Sequence, residues 1–380
     1  MKKLNLIIIA FFFITACHSE KTEYSKEIVG EWAVERDEKN EERPISPFKE
    51  DPQLIIFEED GTYIDKKGFY KFEKDKKTNE NNTLYFGEKT RYKIKGDSLL
   101  IFNPAENNFN VSRIVSMTKS KIILEQKNKS LISLVSYSGK KFSNPPIDKI
   151  IVSKSPCLGS CAINSSIVDN SGNLFFYGES YNSKNGFYKN TVSNQKSKEV
   201  FNELQCVDIN NLKTEYTIPV TDLSSESITF VLKGKIIKTV YNYGNASPFE
   251  LRRLIRNISY LYQNIPLKRI NLKDPLLLFN MRSKTHQISF TGESESFYLF
   301  HELLKSNPII DSPKELPYSG KYRLSLPEND NYEKLNSYER TVTTDGKIFK
   351  VQQRDYTFKT FDLGYNFFIK NDLITNKGIK

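Results

Sequence analysis

The 380-residue chain has few of the residues on which most enzyme sites are built: three histidines, four cysteines and one tryptophan. It also lacks the phosphate-binding loop, the dinucleotide-binding glycine pattern, the H-E-x-x-H zinc motif and the G-x-S-x-G nucleophile motif. A serine hydrolase needs a histidine beside its nucleophile, and neither His286 nor His301 lies in a recognisable motif. We therefore predict no catalytic residue, no metal site and no cofactor, and we expect that the protein is not an enzyme.

The chain does have enough apolar side chains for folded domains, together with a net charge of +10. Hydrophobic residues make up 38% of it, which argues against a disordered chain, and the length suggests two or three domains. A positive charge is typical of nucleic-acid partners only when it is gathered on one face. Here the basic clusters are scattered and alternate with acids, so we expect most of them to be solvated and predict no nucleic-acid partner. These clusters are Lys66-Lys67, Lys74–Lys77, Lys140-Lys141 and Arg252-Arg253.

The first seventeen residues, MKKLNLIIIAFFFITAC, have the layout of a secretory signal peptide. Lys2 and Lys3 precede an apolar stretch that is too short to be a stable membrane-spanning helix. The ending Ile-Thr-Ala-Cys resembles the bacterial lipobox. That resemblance implies a leader over residues 1–16 that is removed and a mature chain that begins with a lipidated Cys17. The alternative is an uncleaved N-terminal anchor with an incidental cysteine.

Either interpretation places the remainder of the chain in the cell envelope, tethered to a membrane through its N-terminus. Several acyl chains on one cysteine would hold the protein firmly, because each buried methylene contributes about 0.8 kcal/mol. His18, rather than an aspartate, follows Cys17. The sorting rule that comes with the resemblance then favours the outer membrane, with either the periplasmic or the surface face open. Residues 17–27 are mainly polar, and we expect them to be a tether.

Residues 28–140 consist of short alternating runs separated by turn signals such as Asp60-Gly61 and Gly96-Asp97. This pattern is typical of an antiparallel barrel or sandwich. The order of its motifs is similar to that of the small lipocalin-like domains of bacterial lipoproteins. The motifs are a Gly-x-Trp opening at Gly30–Trp32, then Phe57–Tyr63, Tyr92–Ile101 and Ile114–Leu124. The resemblance implies a barrel with Trp32 packed across its floor, and it leaves open whether the interior holds a small apolar ligand.

A linker rich in Gly, Ser, Asn and Pro over residues 138–148 precedes a second unit, 148–269, which we predict to be α+β. Its helices are expected at about 196–205 and after Ser247, which has the sequence context of an N-cap. The Pro-Cys-x-Gly-x-Cys run at Pro156–Cys161 and the run Tyr241–Leu251 resemble a bacterial domain family of unknown function. Ala162 stands where that family usually has proline. The resemblance implies no particular activity.

Cys157 and Cys161 are the most specific chemical feature of the second unit. In an exported protein, two cysteines this close usually form a disulfide, and Gly159 between them favours a tight loop. So short a loop removes little chain entropy, which corresponds to about 2 kcal/mol. The alternatives are a redox-active pair, reduced buried thiols, and a metal site that would also need Cys206 and a distant histidine. We expect Cys206 itself to be a small buried residue.

The third unit, 272–380, is also predicted to be α+β, with one helix in SESFYLFHELLKS that Ser294 or Ser296 would cap. Its order of helix, strand and hairpin loosely echoes the second unit. VFNELQ then aligns with LFHELL, and SITFVL aligns with ERTVTT. A divergent repeat is one hypothesis for this unit, which lacks the Cys-x-Gly-x-Cys element, and an unrelated α+β domain is the other.

The predicted fold class is mainly β with α+β: a lipocalin-like antiparallel barrel followed by one or two small α+β domains. The predicted function is that of a non-enzymatic, lipid-anchored cell-envelope lipoprotein that binds a small apolar ligand or a protein partner. Two alternatives remain open, a thiol-redox envelope enzyme that uses Cys157 and Cys161, and a structural factor in envelope assembly.

Overall fold

The computed structural model describes residues 24–35, 51–74, 81–190, 192–272, 278–283, 286–309, 315–323 and 339–376. The predicted leader, Cys17 and most of the predicted tether lie outside the described residues. Among the helices of the described residues, none is long and apolar enough to cross a membrane.

Eight antiparallel strands near the N-terminus close into a barrel, which confirms the predicted architecture. The first ten strands are β1 (Gly30–Glu35), β2 (Leu54–Phe57), β3 (Thr62–Asp65), β4 (Tyr70–Lys74), β5 (Asn81–Tyr85), β6 (Lys89–Lys95), β7 (Ser98–Asn103), β8 (Asn108–Met117), β9 (Lys121–Glu125) and β10 (Leu131–Ser136). Around the barrel the order is β1-β10-β9-β8-β7-β6-β3-β2, and β1 closes it by pairing with both β2 and β10. Strands β4 and β5 stay outside the barrel as a separate hairpin.

The inward-facing side chains of the barrel fill its interior. Trp32 is only 2% exposed, and its Nε1 donates to the carbonyl oxygen of Ile28 over 2.8 Å, which confirms Trp32 as a core residue. The ring of Phe57 contacts the ring of Tyr92 edge-on, with centroids 4.9 Å apart. A short helix, α1 (Tyr24–Glu27), packs Tyr24 against this core. The folded barrel unit therefore begins at Tyr24, four residues before Ile28, where the sequence predicted its start.

The second unit is an eight-stranded sheet with two helices on one face, as the α+β prediction requires. Its elements are β11 (Lys149–Lys154), β12 (Ile163–Asp169), β13 (Leu174–Ser180), β14 (Gly186–Lys189), α2 (Gln195–Glu203), β15 (Glu215–Tyr216), β16 (Ser225–Leu232), β17 (Lys235–Tyr243), α3 (Phe249–Ser259) and β18 (Lys268–Ile270). The strand order is β15-β17-β16-β11-β12-β13-β14-β18, and all neighbours are antiparallel except β15 and β17. Helix α3 has Pro248 as its N-cap residue instead of the predicted Ser247, because the chain becomes helical one residue later than the pattern indicates.

The third unit forms another eight-stranded sheet. Its elements are β19 (Leu278–Arg282), β20 (His286–Ser289), α4 (Glu293–Leu303), β21 (Asn307–Ile309), β22 (Tyr318–Arg323), β23 (Glu339–Thr344), β24 (Ile348–Gln352), β25 (Phe358–Asp362), α5 (Phe367–Lys370) and β26 (Ile374–Asn376). The strand order is β21-β25-β24-β23-β22-β19-β20-β26. The series β23-β22-β19-β20 has the same chain order and neighbours as β17-β16-β11-β12, and in both units a helix lies between the second and the third of these strands along the chain. By its position in the sheet, β22 of the third unit corresponds to β16 of the second, whereas the sequence echo aligned β23 with β16.

Helix α4 lies between the second and third sheets and is buried on almost every side. It contacts β11, β12 and β16 of the second sheet and β19 of the third. Four consecutive side chains, Phe297–Phe300, are all at most 7% exposed, and Phe297 stacks on Phe175 of β13 with centroids 5.7 Å apart. A helix that is apolar all round belongs in an interior. The two units therefore share one hydrophobic core, and the layers run from α2 and α3 through the second sheet and α4 to the third sheet.

The start of α4 differs from the prediction. Its N-cap is Gly292, so the prediction of Ser294 or Ser296 as the cap is wrong. The hydroxyl oxygen of Ser227, on β16, instead accepts the backbone N–H of Ser294 over 3.0 Å. A Cβ atom on Gly292 would lie 2.3 Å from that of Ser227, so this close approach requires glycine. The capping hydroxyl comes from a neighbouring sheet, which no local sequence pattern could indicate.

A buried charge network joins the barrel to helix α3. Glu88, in the segment between β5 and β6, accepts hydrogen bonds from Nε and Nη2 of Arg253 at 2.9 and 2.6 Å, and from Nη2 of Arg256 at 2.7 Å. Lys66 bridges Glu31 at 2.6 Å and Glu250 at 3.3 Å. Lys66 and Arg253 are buried, so the prediction that these basic clusters are solvated is wrong for them. Arg253 meets Glu88 from the barrel unit, and Lys66 meets Glu250 from the second unit as well as Glu31 from its own.

The hairpin of β4 and β5 extends the same interface. The hydroxyl of Tyr85 donates to Oδ1 of Asn257 over 2.6 Å, and Nε2 of Gln263 donates to the carbonyl oxygen of Thr83 over 2.9 Å. The ring of Tyr85 also packs against that of Tyr260, with centroids 5.4 Å apart. The hairpin thus belongs to the core of the second unit although it is part of the barrel sequence.

We expect Glu88→Ala to lower the free energy of unfolding by about 3–5 kcal/mol, because two buried guanidinium groups would lose the carboxylate they share. Chemical denaturation of the variant and the parent protein measures this. The matched control is Glu125→Ala, which breaks an exposed ion pair with Arg113 on the barrel and should change stability little. Equal effects of the two substitutions would show that the network does not hold the barrel in place.

Candidate functional site

The structure brings together the two cysteines that the sequence analysis paired. The sulfur atoms of Cys157 and Cys161 lie at disulfide-bonding distance, and the Cα atoms are 5.7 Å apart. Their loop joins β11 to β12 and contains Gly159, whose φ of +136° requires glycine. Leu158 in this loop is 82% exposed, and its backbone N–H donates to the carbonyl oxygen of Asp222 over 3.0 Å. This geometry fits a bridge that shapes the loop.

The other residues considered as ligands do not form a metal site with one another. Cys206 is a free, half-buried thiol in the short 3-10 turn that follows α2. His301 lies on α4 with its ring centroid 5.0 Å from that of Phe175, and burial lowers the pKa of its imidazole. Within the described residues, no group of three or more His, Cys, Asp or Glu side chains could hold a metal ion.

A cleft of about 490 Å³ lies between the C-terminal end of α4 and the third sheet. This volume is in the range of small-molecule sites, which are typically apolar clefts with a few polar groups. The main apolar lining residues are Phe300, Leu303, Leu304, Tyr322, Val351 and Phe361. We call this surface the α4 cleft.

Several parts of the chain position the walls of the α4 cleft. Helix α4 ends at Leu303, and Leu304, its C-cap, lies at the rim with 40% of its surface exposed. Tyr322 on β22 is fixed by its hydroxyl, which donates to the carbonyl oxygen of Gln352 over 2.6 Å. Leu272, which follows β18, and Phe361 on β25 complete the apolar walls.

Most of the polar residues that line the α4 cleft lie in the turn from β24 to β25 or just after it. Asp355 shapes this turn, since its carboxylate accepts from the hydroxyl of Thr357 over 2.6 Å. The guanidinium of Arg340 lies 4.1 Å over the ring of Tyr356, and its Nη2 donates to the carbonyl oxygen of Arg354 over 3.1 Å. Lys359 is exposed at the edge and makes no ion pair with a carboxylate of the described residues.

Glu302 lies on α4 next to Leu303, which lines the cleft, and its carboxyl is held in the charged form. Burial disfavours the charged form of Glu302, but His301 and Lys305 outweigh it and lower the pKa of this carboxyl to about 2. Nζ of Lys305 donates to Glu302 over 2.7 Å. The negative charge of Glu302 is thus paired. The arrangement offers an apolar interior with a charged edge that carries Arg354, Asp355 and Lys359, which suits binding.

No sequence motif indicates the α4 cleft. The sequence suggests only the barrel for an apolar ligand, whereas the barrel interior is occupied by side chains such as Trp32 and Phe57. The cleft walls come from segments separated by up to about ninety residues, so no short motif contains them. The one local indication of the cleft is the pair Leu303-Leu304 at the end of a helix. Leu303 is buried in the core, whereas Leu304 is partly exposed and is free to line a surface.

Residues 148–262 match a protein family described as a domain of unknown function, DUF6438. The matched range contains β11 to α3 with the loop of Cys157 and Cys161, and excludes both the barrel and the α4 cleft. No curated protein matches the chain. No solved structure matches it either. The chain therefore carries a DUF6438 domain at residues 148–262, between an N-terminal eight-stranded antiparallel barrel and a C-terminal sheet.

Proposed function

We propose that this protein is a lipid-anchored lipoprotein of the cell envelope, and that it binds a small amphiphile without chemically changing it. The α4 cleft is the observation that carries this proposal. Its walls are apolar, and Lys359 at the edge supplies a positive charge. The amphiphile would place an apolar chain along Phe300 and Leu303 and an anionic head group near Lys359.

The sequence supports the lipid anchor and the compartment. Cys17 ends a lipobox-like run after an apolar leader, and His18 favours the outer membrane. A lipid-anchored protein works next to amphiphilic molecules, so a cleft for an acyl-chain ligand is consistent with this location. The barrel is the weaker candidate for the ligand, since its interior is occupied by its own side chains.

The anchor predicts a covalent lipid on Cys17. Expression of the full chain in a bacterial host, followed by intact mass spectrometry of the membrane fraction, should yield a chain that begins at Cys17 with acyl chains attached. Cys17→Ala should abolish the lipid and leave the leader uncleaved, because the cysteine sulfur is the acylation site in lipobox sequences. A Cys17→Ala chain that is processed and membrane-bound like the parent would refute the anchor.

A second candidate function, thiol-redox chemistry, is favoured by the exposure of the loop that contains Cys157 and Cys161. We expect the pair to be a structural disulfide instead, and therefore unreactive toward a maleimide reagent until a strong reductant is added. Mass spectrometry counts the labels, and the free thiol Cys206 is the internal control in the denatured protein. Labelling of both cysteines in the native protein after mild reduction, for example by a thioredoxin system, would favour the redox function.

The cleft predicts saturable binding of a fatty acid. We expect dansyl-labelled undecanoic acid to bind the parent protein, and Leu304→Glu to weaken this binding at least roughly tenfold, since it puts a carboxylate at the mouth. Lys359→Gln should weaken binding of the acid but not of the matching neutral alcohol. Fluorescence titration and displacement by unlabelled ligands measure both effects.

The matched control for Leu304→Glu is Ile369→Glu on α5, where the replaced side chain is 64% exposed and lies outside the cleft. This control should bind the acid as the parent does, and both variants should unfold at temperatures close to that of the parent. Absence of saturable binding to the parent, or equal weakening by the two variants, would contradict the proposed site.

A further inference from the structure

The outer face of the barrel carries a row of cations on one strand. Strand β6 reads KTRYKIK, and its alternate residues Lys89, Arg91, Lys93 and Lys95 are all exposed. Tyr92 and Ile94, between them, pack against the barrel core. Since successive side chains of a strand point to opposite faces, the four cations share the outer face at intervals of about 7 Å. The sequence analysis, which considered only adjacent basic residues, did not find this row.

On one side of β6, strands β7 and β8 add apolar side chains and no negative charge to this face. Strands β7 and β8 contain no Asp or Glu. Register pairs Phe102 with Phe109 and Leu100 with Val111 across the outer face, and Val111 is 51% exposed. We call the outward side chains of β6, β7 and β8 the basic face.

The four cations of β6 are available for an external anion. None of them makes an ion pair with a carboxylate of the described residues. The β2–β3 turn, which contains Asp60, meets β6 at Tyr92, whose backbone N–H donates to the carbonyl oxygen of Gly61 over 2.8 Å. By contrast, Arg113 on β8 is paired with Glu125 over 2.9 Å. Clustered basic residues are attracted to the negative surface of anionic membranes, and the exposed aliphatic side chains beside them suit contact with lipid.

The aromatic rings on this face argue against single-stranded nucleic acid as the partner. Binding of that kind uses free ring faces on which bases stack. Here the guanidinium of Arg91 lies 4.1 Å over the ring of Phe102, and Nζ of Lys93 lies 4.4 Å over the ring of Phe109. The two rings also contact each other edge-on, with centroids 5.3 Å apart. The rings therefore hold the cations in place and are not open platforms.

The predicted anchor brings the barrel close to a bilayer. The chain from Cys17 to Tyr24, where the barrel's first helix begins, can extend no further than about 25 Å. The barrel is thus the unit nearest to the lipid, and it is also the unit that carries the basic face.

We propose that the basic face docks on an anionic lipid bilayer and orients the protein on the membrane that holds its lipid anchor. This inference rests on the proposed function for the anchor, but the face can be tested without it. Each basic residue at an anionic surface strengthens binding about fivefold. Two neutralised cations should therefore weaken it roughly 25-fold.

The experiment uses residues 18–380, which keep every described residue and lack the acylated cysteine. Sedimentation with phosphatidylcholine vesicles that contain 30% phosphatidylglycerol should show binding, which should disappear with pure phosphatidylcholine and in 0.5 M NaCl. Arg91→Gln combined with Lys93→Gln should weaken binding to the anionic vesicles roughly 25-fold. Lys196→Gln combined with Lys198→Gln, an equal change of charge on exposed residues of α2, is the matched control and should bind as the parent does.

Circular dichroism and thermal unfolding establish that both double variants are folded. Equal binding of the parent to neutral and anionic vesicles, or equal loss in the two double variants, would overturn the inference. Tighter binding to a single-stranded oligonucleotide than to the anionic vesicles would also overturn it, in favour of a nucleic-acid partner. The vesicle test involves neither lipidation nor the α4 cleft, so Leu304→Glu should bind the vesicles as the parent does. A negative vesicle result would therefore count against the basic face and not against fatty-acid binding in the cleft.

Discussion

The burial of helix α4 between two sheets is the constraint on which the C-terminal two thirds of the molecule depends. The outer face of the second sheet carries Ile151 and Val231, and these side chains would be in water without α4 and the third sheet. Burying one large apolar side chain contributes about 1.5–3 kcal/mol, and α4 has four in succession. The DUF6438 domain is consequently one layer of a larger core, with its own helices on one face and α4 on the other.

The same helix creates the candidate site. Where α4 ends at Leu303, the third sheet continues past it, and the space left between them is the α4 cleft. The site therefore lies outside the range that matches the family, in the part of the chain that packs onto that range. A ligand there would contact side chains that also hold the shared core together, such as Phe300 and Val351. Binding and packing use the same apolar surface in this region.

Charged residues have two different roles on the two sides of the barrel. At the interface with α3, Glu88 and Arg253 are desolvated and paired, so neither is available to an external partner. Burial and the nearby Glu88 carboxylate also raise the pKa of Glu203 in this network, although Arg253 opposes them. On the outer face of β6 the cations have no carboxylate partner among the described residues. Basic residues that look alike in the sequence thus differ in environment, because only some of them meet a carboxylate in a buried interface.

The sequence by itself determined the barrel, the α+β character of the second unit, the pairing of Cys157 with Cys161 and the core position of Trp32. These follow from alternation, turn residues and short spacings, which are local along the chain. Only the tertiary structure decided the cap of α4, which Ser227 supplies from another sheet, and the burial of Arg253 against Glu88. It likewise decided the walls of the α4 cleft. Each of these depends on contacts between residues far apart in the chain, and a pattern read along a single segment contains no information about the segment that will pack against it.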